Sequence, residues 1–329
     1  MKHTIKTRIL AAWLVCGATW ASAGVLPGPV VDTQWLAANL DKVQVVSVLS
    51  DAKVFTAAPE YEKDPKTGKS VLSEPGGHIA GSMLIGMKPM RVERQVGSLK
   101  VKYLIPEKAE FEKLVQSAGV DAGKPIVFVP LGVDIPDVDD ALRVYWQFKV
   151  YGEDNMAVLN GGLSAWLREG RPVSTDAPVS KAGTWAAKAD RSGQYLATSD
   201  DVAHSSEKGN AVLVDARDAR NFHGLTKRDY VFAMGHIPGA KLYTPNLLLK
   251  SSEGSVKFMS VLTYKALMSA NGIDPQAPVI SYCNSGHLAA GPWFLTSEIL
   301  GNRSAKLYDG SMHQWTLEKR PVAGAVPLN

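Results

Sequence analysis

The run Val279-Ile280-Ser281-Tyr282-Cys283-Asn284-Ser285-Gly286-His287-Leu288-Ala289 decides how the chain is read. A short, mostly apolar stretch, readable as a buried strand, leads into a cysteine. Four small, polar or basic residues follow, and Leu288-Ala289-Ala290 then opens a helical pattern. Strand, tight loop and helix start together aim consecutive backbone N–H groups at one point. A thiol at that point is expected to be acidified and its anionic products held there. A lone cysteine is ordinarily a small buried hydrophobe, but the residues after Cys283 are not those of a core, so a functional role is expected.

The amino-terminal residues set the compartment. Lys2, Lys6 and Arg8 form a basic start, Ile9 to Trp20 is mostly apolar without charge, and Ala21-Ser22-Ala23 supplies a small-residue cleavage signal. This predicts a secretory signal peptide over residues 1–23, cleaved after Ala23, and a periplasmic or secreted product that does not insert into the membrane. Val15 stands where a small residue is needed before a lipidated cysteine, so Cys16 is not read as a lipid anchor. Cys16 would leave with the leader, and Cys283 alone cannot form an intramolecular disulfide. The formal net charge of +4 would lose three basic residues and fall close to neutral. No polybasic patch remains to argue for nucleic acid or anionic lipid.

Three segments recur in the same order. Gly77-His78-Ile79-Ala80-Gly81-Ser82 returns as Gly235-His236-Ile237-Pro238-Gly239-Ala240, and Pro125-Ile126-Val127-Phe128-Val129-Pro130 as Pro278-Val279-Ile280-Ser281-Tyr282-Cys283. The third, Leu159 to Trp166, returns as Tyr308 to Trp315. The repeat predicts two similar domains, 25–170 and 193–329. Residues 171–192, rich in Pro, Ala, Ser and Gly, read as the linker between them. Val212-Leu213-Val214 and Val279 to Tyr282 read as strands, Thr263 to Ala270 and Leu288 to Leu300 as helices. That alternation predicts a mostly parallel sheet with helices on both faces in each half. Sites in such sheets form beyond the carboxyl ends of strands, where Cys283 falls.

The second half resembles the rhodanese family, and the chain from about residue 30 to 325 resembles its tandem-domain sulfurtransferases. The matching residues are Val214-Asp215-Ala216-Arg217 with Arg220 and Phe222, the Gly235 to Ala240 run, the Cys283 loop, and Tyr308-Asp309-Gly310-Ser311 with Trp315. The resemblance implies two packed α/β domains, of which only the C-terminal one carries the cysteine. Pro130 occupies the equivalent place in the first half, and Val48 and Ser50 are aligned with Asp215 and Arg217, so the first half is expected to be catalytically inactive and to form one wall of the cleft.

The chemistry implied is sulfur transfer from a small anionic donor to a thiophilic acceptor, with no cofactor. A Cys283 persulfide would be stabilised by N–H donors from Asn284, Ser285, Gly286, His287 and Leu288, and ping-pong kinetics would follow. Arg220 matches the family position that grips the donor's sulfonate or carboxylate. Arg217, beside Asp215, is expected to be ion-paired scaffold, and Arg228 could form a second anchor. His287 would lower the Cys283 pKa as a cation, move a proton as a neutral base, or simply face solvent. His78 and His236 occur in both halves and are read as structural, as are Trp166 and Trp315. No histidine shows metal-ligand spacing, so no metal is expected.

The donor stays open between thiosulfate and 3-mercaptopyruvate. Thiosulfate-type members carry basic residues just after the cysteine and mercaptopyruvate-type members Gly-Ser-Gly-Val-Thr, and Asn284 to Leu288 fits neither throughout. An alternative is a sulfur-relay module with little turnover that hands sulfur to a protein acceptor. A cysteine phosphatase or arsenate reductase would need an arginine six residues after the cysteine, where Ala289 stands.

Overall fold

The computed structural model describes residues 26–178, 181–324 and 326; the expected leader and its cleavage site lie outside them. Two parallel sheets organise the chain. The first has five strands in the order Val30–Val31, Met156–Leu159, Ile126–Val129, Gln44–Leu49, Met83–Gly86. The second has four, in the order Lys241–Leu242, Val212–Asp215, Val279–Tyr282, Ala305–Leu307, and a parallel bridge from Leu196 to Leu307 stands where a fifth would lie. The two orders are the same, so the sequence repeat is a repeat of topology. The central strands are mostly apolar and buried along their whole length because both faces are covered, as a parallel sheet requires. The expected architecture of two α/β halves is thus the one observed.

Ladder register sharpens the correspondence between halves. Gln44 pairs with Ile126 and Ser47 with Val129, as Val212 pairs with Val279 and Asp215 with Tyr282. Pro130 is therefore the counterpart of Cys283. The counterparts of Asp215 and Arg217 are Ser47 and Leu49, one residue before Val48 and Ser50. The first half lacks the buried ion pair either way.

Three further details differ from the sequence reading or explain it. Within the expected linker, Trp185 is buried against Phe111 and Phe148, and its amide donates to Val120 O. The helix expected over 288–300 is α-helical only at Ala290–Phe294 and widens to a π-helical turn at Leu295–Ile299. His78 and His236 each stack on a phenylalanine, Phe55 and Phe222, at 3.7 Å, and hold that residue's carbonyl through Nδ1.

The helix Ile135–Val150 packs between the halves. Its residues are buried almost all round, because the first sheet lies on one side and the Ala290–Phe294 helix on the other. Phe128, Trp146, Val214, Trp293 and Phe294 belong to one apolar cluster running through both halves. Shared burial of this kind holds the halves in register and brings charged residues of the Ile135–Val150 helix against the Cys283 loop.

Candidate active site

Cys283 lies at the carboxyl end of the Val279–Tyr282 strand, is 1% exposed, and belongs to the shared apolar cluster. The loop after it is tied down at its main chain. Ser311 Oγ accepts from the amides of Cys283 and Gly286, both at 3.0 Å, and donates to Tyr308 O. Met312 N and His313 N donate to the carbonyls of Cys283 and Asn284. Ser311 does this from a left-handed φ of +50°, a strained position for a residue with a Cβ. The motif Tyr308-Asp309-Gly310-Ser311 is thus the floor of the loop.

Gly286 has φ +73°, and a Cβ there would meet Asp309 O and Oδ1 at 2.5 Å. Its amide is committed to Ser311, so it does not serve an anion as the sequence reading expected. The amides of Asn284, Ser285, His287, Leu288 and Ala289 donate to no protein acceptor among the described residues. Five uncommitted donors within six residues are the kind of resource an anion-holding loop needs. Gly286→Ala is expected to displace the loop, abolish sulfur uptake and lower stability by about 1 kcal/mol or more, through the left-handed φ and the close contact together. Denaturant unfolding beside intact-mass measurement checks it.

The first half reaches the loop with three charged side chains. Arg143 is fully buried, donates to Gly286 O at 3.0 Å and lies 2.6 Å from Asp309. Asp309 in turn accepts from the Ile105 amide at 2.7 Å. Arg91 donates to Ser285 O at 2.9 Å and to Ser285 Oγ at 2.7 Å, with its guanidinium 4.9 Å from the Tyr103 ring centre. Asp140, also buried, holds Ser50 Oγ at 2.6 Å and places Oδ1 2.9 Å from His287 Nε2. The first half is therefore more than a wall: it clamps the cysteine loop at Ser285, Gly286 and His287.

His287 does not behave as a cation beside the sulfur. Burial holds its pKa below the ordinary histidine value, Asp140 opposing and Arg91 and Arg143 adding to the depression. The guanidinium that reaches the loop at Ser285 is that of Arg91. Arg217 is ion-paired to Asp215 at 2.6 Å, donates to Gly235 O, and is buried with its partner. Arg220 sits on the short Ala219–Phe222 helix, and Arg228 on the loop that leads to Tyr230; both are exposed and neither forms an ion pair among the described residues. Leu288 is half-buried at the start of the following turn. A cavity of about 370 Å³ opens between the halves, lined mainly by Ser50, Lys88, Arg91, Tyr103, Asp140 and His287. That volume suits a small molecule.

A thiol on a strand-to-helix loop with uncommitted amides, clamped by cations from a second α/β half, defines a cysteine-dependent group-transfer site. Residues 198–318 match the rhodanese-like domain. The chain is 28% identical over 302 residues to the sulfur carrier protein TtuD of Thermus thermophilus, covering 88% of this chain and 94% of that one. It is 26% identical over 302 residues to thiosulfate sulfurtransferase of Bos taurus, covering 88% and 93%. Among solved structures it resembles SseA of Escherichia coli, described among 3-mercaptopyruvate sulfotransferases, with TM-score 0.65, 20% identity and coverage of 86% and 98%. Residues 198–318 thus match a rhodanese-like domain, and over most of its length the chain is similar to proteins named as sulfurtransferases.

Proposed function

We propose that the protein moves a sulfane sulfur from a small anionic donor, thiosulfate or 3-mercaptopyruvate, to a nucleophilic acceptor such as cyanide or a thiol, through a persulfide on Cys283. The observation that carries this is the loop itself, whose five amides have no protein acceptor around a single cysteine. The ionised sulfur attacks the donor's outer sulfur. A Cys283 S–S bond forms as the donor's bond to that atom breaks, its electron pair going with the leaving group: thiosulfate releases sulfite, and 3-mercaptopyruvate releases the enolate of pyruvate, which takes up a proton. The acceptor then takes the outer sulfur and Cys283 returns as thiolate.

Mature protein mixed with thiosulfate and cyanide should produce thiocyanate, and its intact mass after donor alone should rise by one sulfur atom. No mass gain with thiosulfate or with mercaptopyruvate sinks the persulfide. Mass gain without thiocyanate favours the second reading, a relay that passes sulfur to a protein acceptor; the likeness to a protein named as a sulfur carrier supports keeping it.

Arg220 is the proposed grip on the donor's anionic group, because its guanidinium is exposed and has no carboxylate partner among the described residues. Arg220→Ala is expected to raise the donor KM on the order of 10–100-fold, the worth of a charge-assisted hydrogen bond, with kcat little changed. Steady-state kinetics in thiosulfate check it. Residues 1–23 are proposed to direct export to the periplasm or beyond. The protein recovered from that fraction should then begin at Gly24.

A further inference from the structure

His313 joins three segments that surround the Cys283 loop. Its amide donates to Asn284 O at 2.9 Å, its Nδ1 lies 2.7 Å from Tyr230 O, and the Lys102 amide donates to its Nε2 at 3.1 Å. These partners fix the state of the ring. A carbonyl only accepts and a main-chain amide only donates, so Nδ1 carries a proton, Nε2 carries none, and the imidazole is neutral. The residue is buried, so both bonds lie away from bulk water.

The Lys102 amide is available because the hairpin that bears it bulges. Strands Val92–Val96 and Leu99–Leu104 pair Val92 with Leu104 and Arg94 with Val101, so Lys102 and Tyr103 together stand opposite Glu93. A bulge leaves one residue out of the ladder and free to meet another partner. Tyr103 takes up the bend at φ +69°, a conformation that a residue with a Cβ holds only where its surroundings fix it. Its ring lies 5.0 Å from the Tyr230 ring and 4.9 Å from the Arg91 guanidinium, which in turn donates to Ser285 O and Oγ. The bulge thus leads from His313 to the cysteine loop.

We propose that His313 is a positioning residue for sulfur transfer: its neutral imidazole fastens the first half's bulge and the Tyr230 segment around the Cys283 loop, and protonation of Nε2 releases the bulge and slows sulfur uptake. The inference rests on the sulfur-transfer reading and adds a pH dependence to it. A protonated Nε2 turns an N–H toward the Lys102 N–H, two donors with no acceptor between them. Burial holds the His313 pKa below the ordinary histidine value; the Tyr230 carbonyl and Glu93 oppose this and Lys102 adds to it. The fastened form is therefore complete above the ordinary histidine value and is lost as pH falls through the lowered one. The rings of Tyr103, Tyr230 and Phe232 face the imidazole, and Arg228 and Asp229, which precede Tyr230, are exposed. On the loop side stand Cys283 and Asp309, the latter paired with Arg143.

The test follows the rate of donor-driven mass gain across about pH 5–8, the range in which histidine titrates. The wild-type rate should fall in acid with a midpoint below ~6.5. His313→Leu should be slower by about 10–100-fold at every pH, the cost of a small misplacement away from the chemistry. His313→Gln, whose side-chain oxygen can accept from Lys102 and has no proton to gain, should recover most of the rate near pH 8 and lose the wild-type acid limb. An acid limb in His313→Gln that superimposes on wild type overturns the proposal, and so does a His313→Leu as fast as wild type. If neither variant folds, hydrogen exchange of the wild-type segment 99–104 decides. Its protection, corrected for the intrinsic pH dependence, should fall in acid below ~6.5, and protection that stays constant overturns the proposal. That measurement needs no donor, so it separates failure of this inference from failure of the persulfide reading.

Discussion

Cys283→Ser is expected to abolish sulfur transfer, by more than ~10⁴-fold, while leaving the fold in place. The size of the loss follows from the role: with the nucleophile gone there is no covalent carrier, and an unactivated hydroxyl does not ionise near neutral pH or hold a sulfane sulfur. The fold should survive because the contacts that fix this residue are main-chain ones. Its amide donates to Ser311 Oγ and its carbonyl accepts from Met312 N, and neither needs the side chain. Denaturant unfolding should therefore move by about 1 kcal/mol or less, while thiocyanate formation and mass gain both disappear. Residual turnover above a percent of wild type would mean that another group carries the sulfur.

What the sequence showed of this site and what it hid divide along a physical line. The cysteine loop was legible because everything that defines it is local: an apolar strand, a glycine at a left-handed turn and a helix start within eleven residues. The two halves were legible because a parallel sheet with both faces covered demands mostly apolar strands, and these recur with the same flanking glycines and histidines. The clamp was hidden because it is not local. Arg91 and Ser285 are 194 positions apart, and Arg143 and Gly286 are 143 apart; only the packing of one half on the other makes them neighbours. One signal could have been used. Asp139, Asp140 and Arg143, with Gln147 and Lys149, interrupt an otherwise apolar helical pattern, Val138 to Val150, and charge in a helix that buries most of its surface needs a partner from elsewhere. The role of His287 stayed open among three readings for the same reason: its acidic neighbour, Asp140, comes from the other half. Residues 171–192 read as a linker from their composition, which does not reveal that Trp185 within them is buried against Phe111 and Phe148.

Arg143→Leu should be the most damaging change outside the cysteine, costing about 3–5 kcal/mol of stability. The guanidinium has no solvent exposure, so its removal is not softened by water, and it leaves Asp309 buried with only the Ile105 amide to hold its charge. It also frees Gly286 O, takes away the plane that sits 4.5 Å over the Trp146 ring, and opens the seam between the halves at the loop. Most of the loss should come from the abandoned carboxylate, not from the missing contacts. Asp309→Asn added to Arg143→Leu should therefore recover a substantial part of the stability, since it removes the charge while an amide oxygen can still accept from Ile105. Catalysis should not recover with it, because the Gly286 carbonyl that Arg143 holds is still free and the loop still lacks its anchor. Unfolding free energies for both variants, set beside sulfur uptake, separate the two effects. A double variant no more stable than Arg143→Leu alone would show that Asp309 is not the source of the cost, and that the ion pair contributes to packing rather than to charge balance.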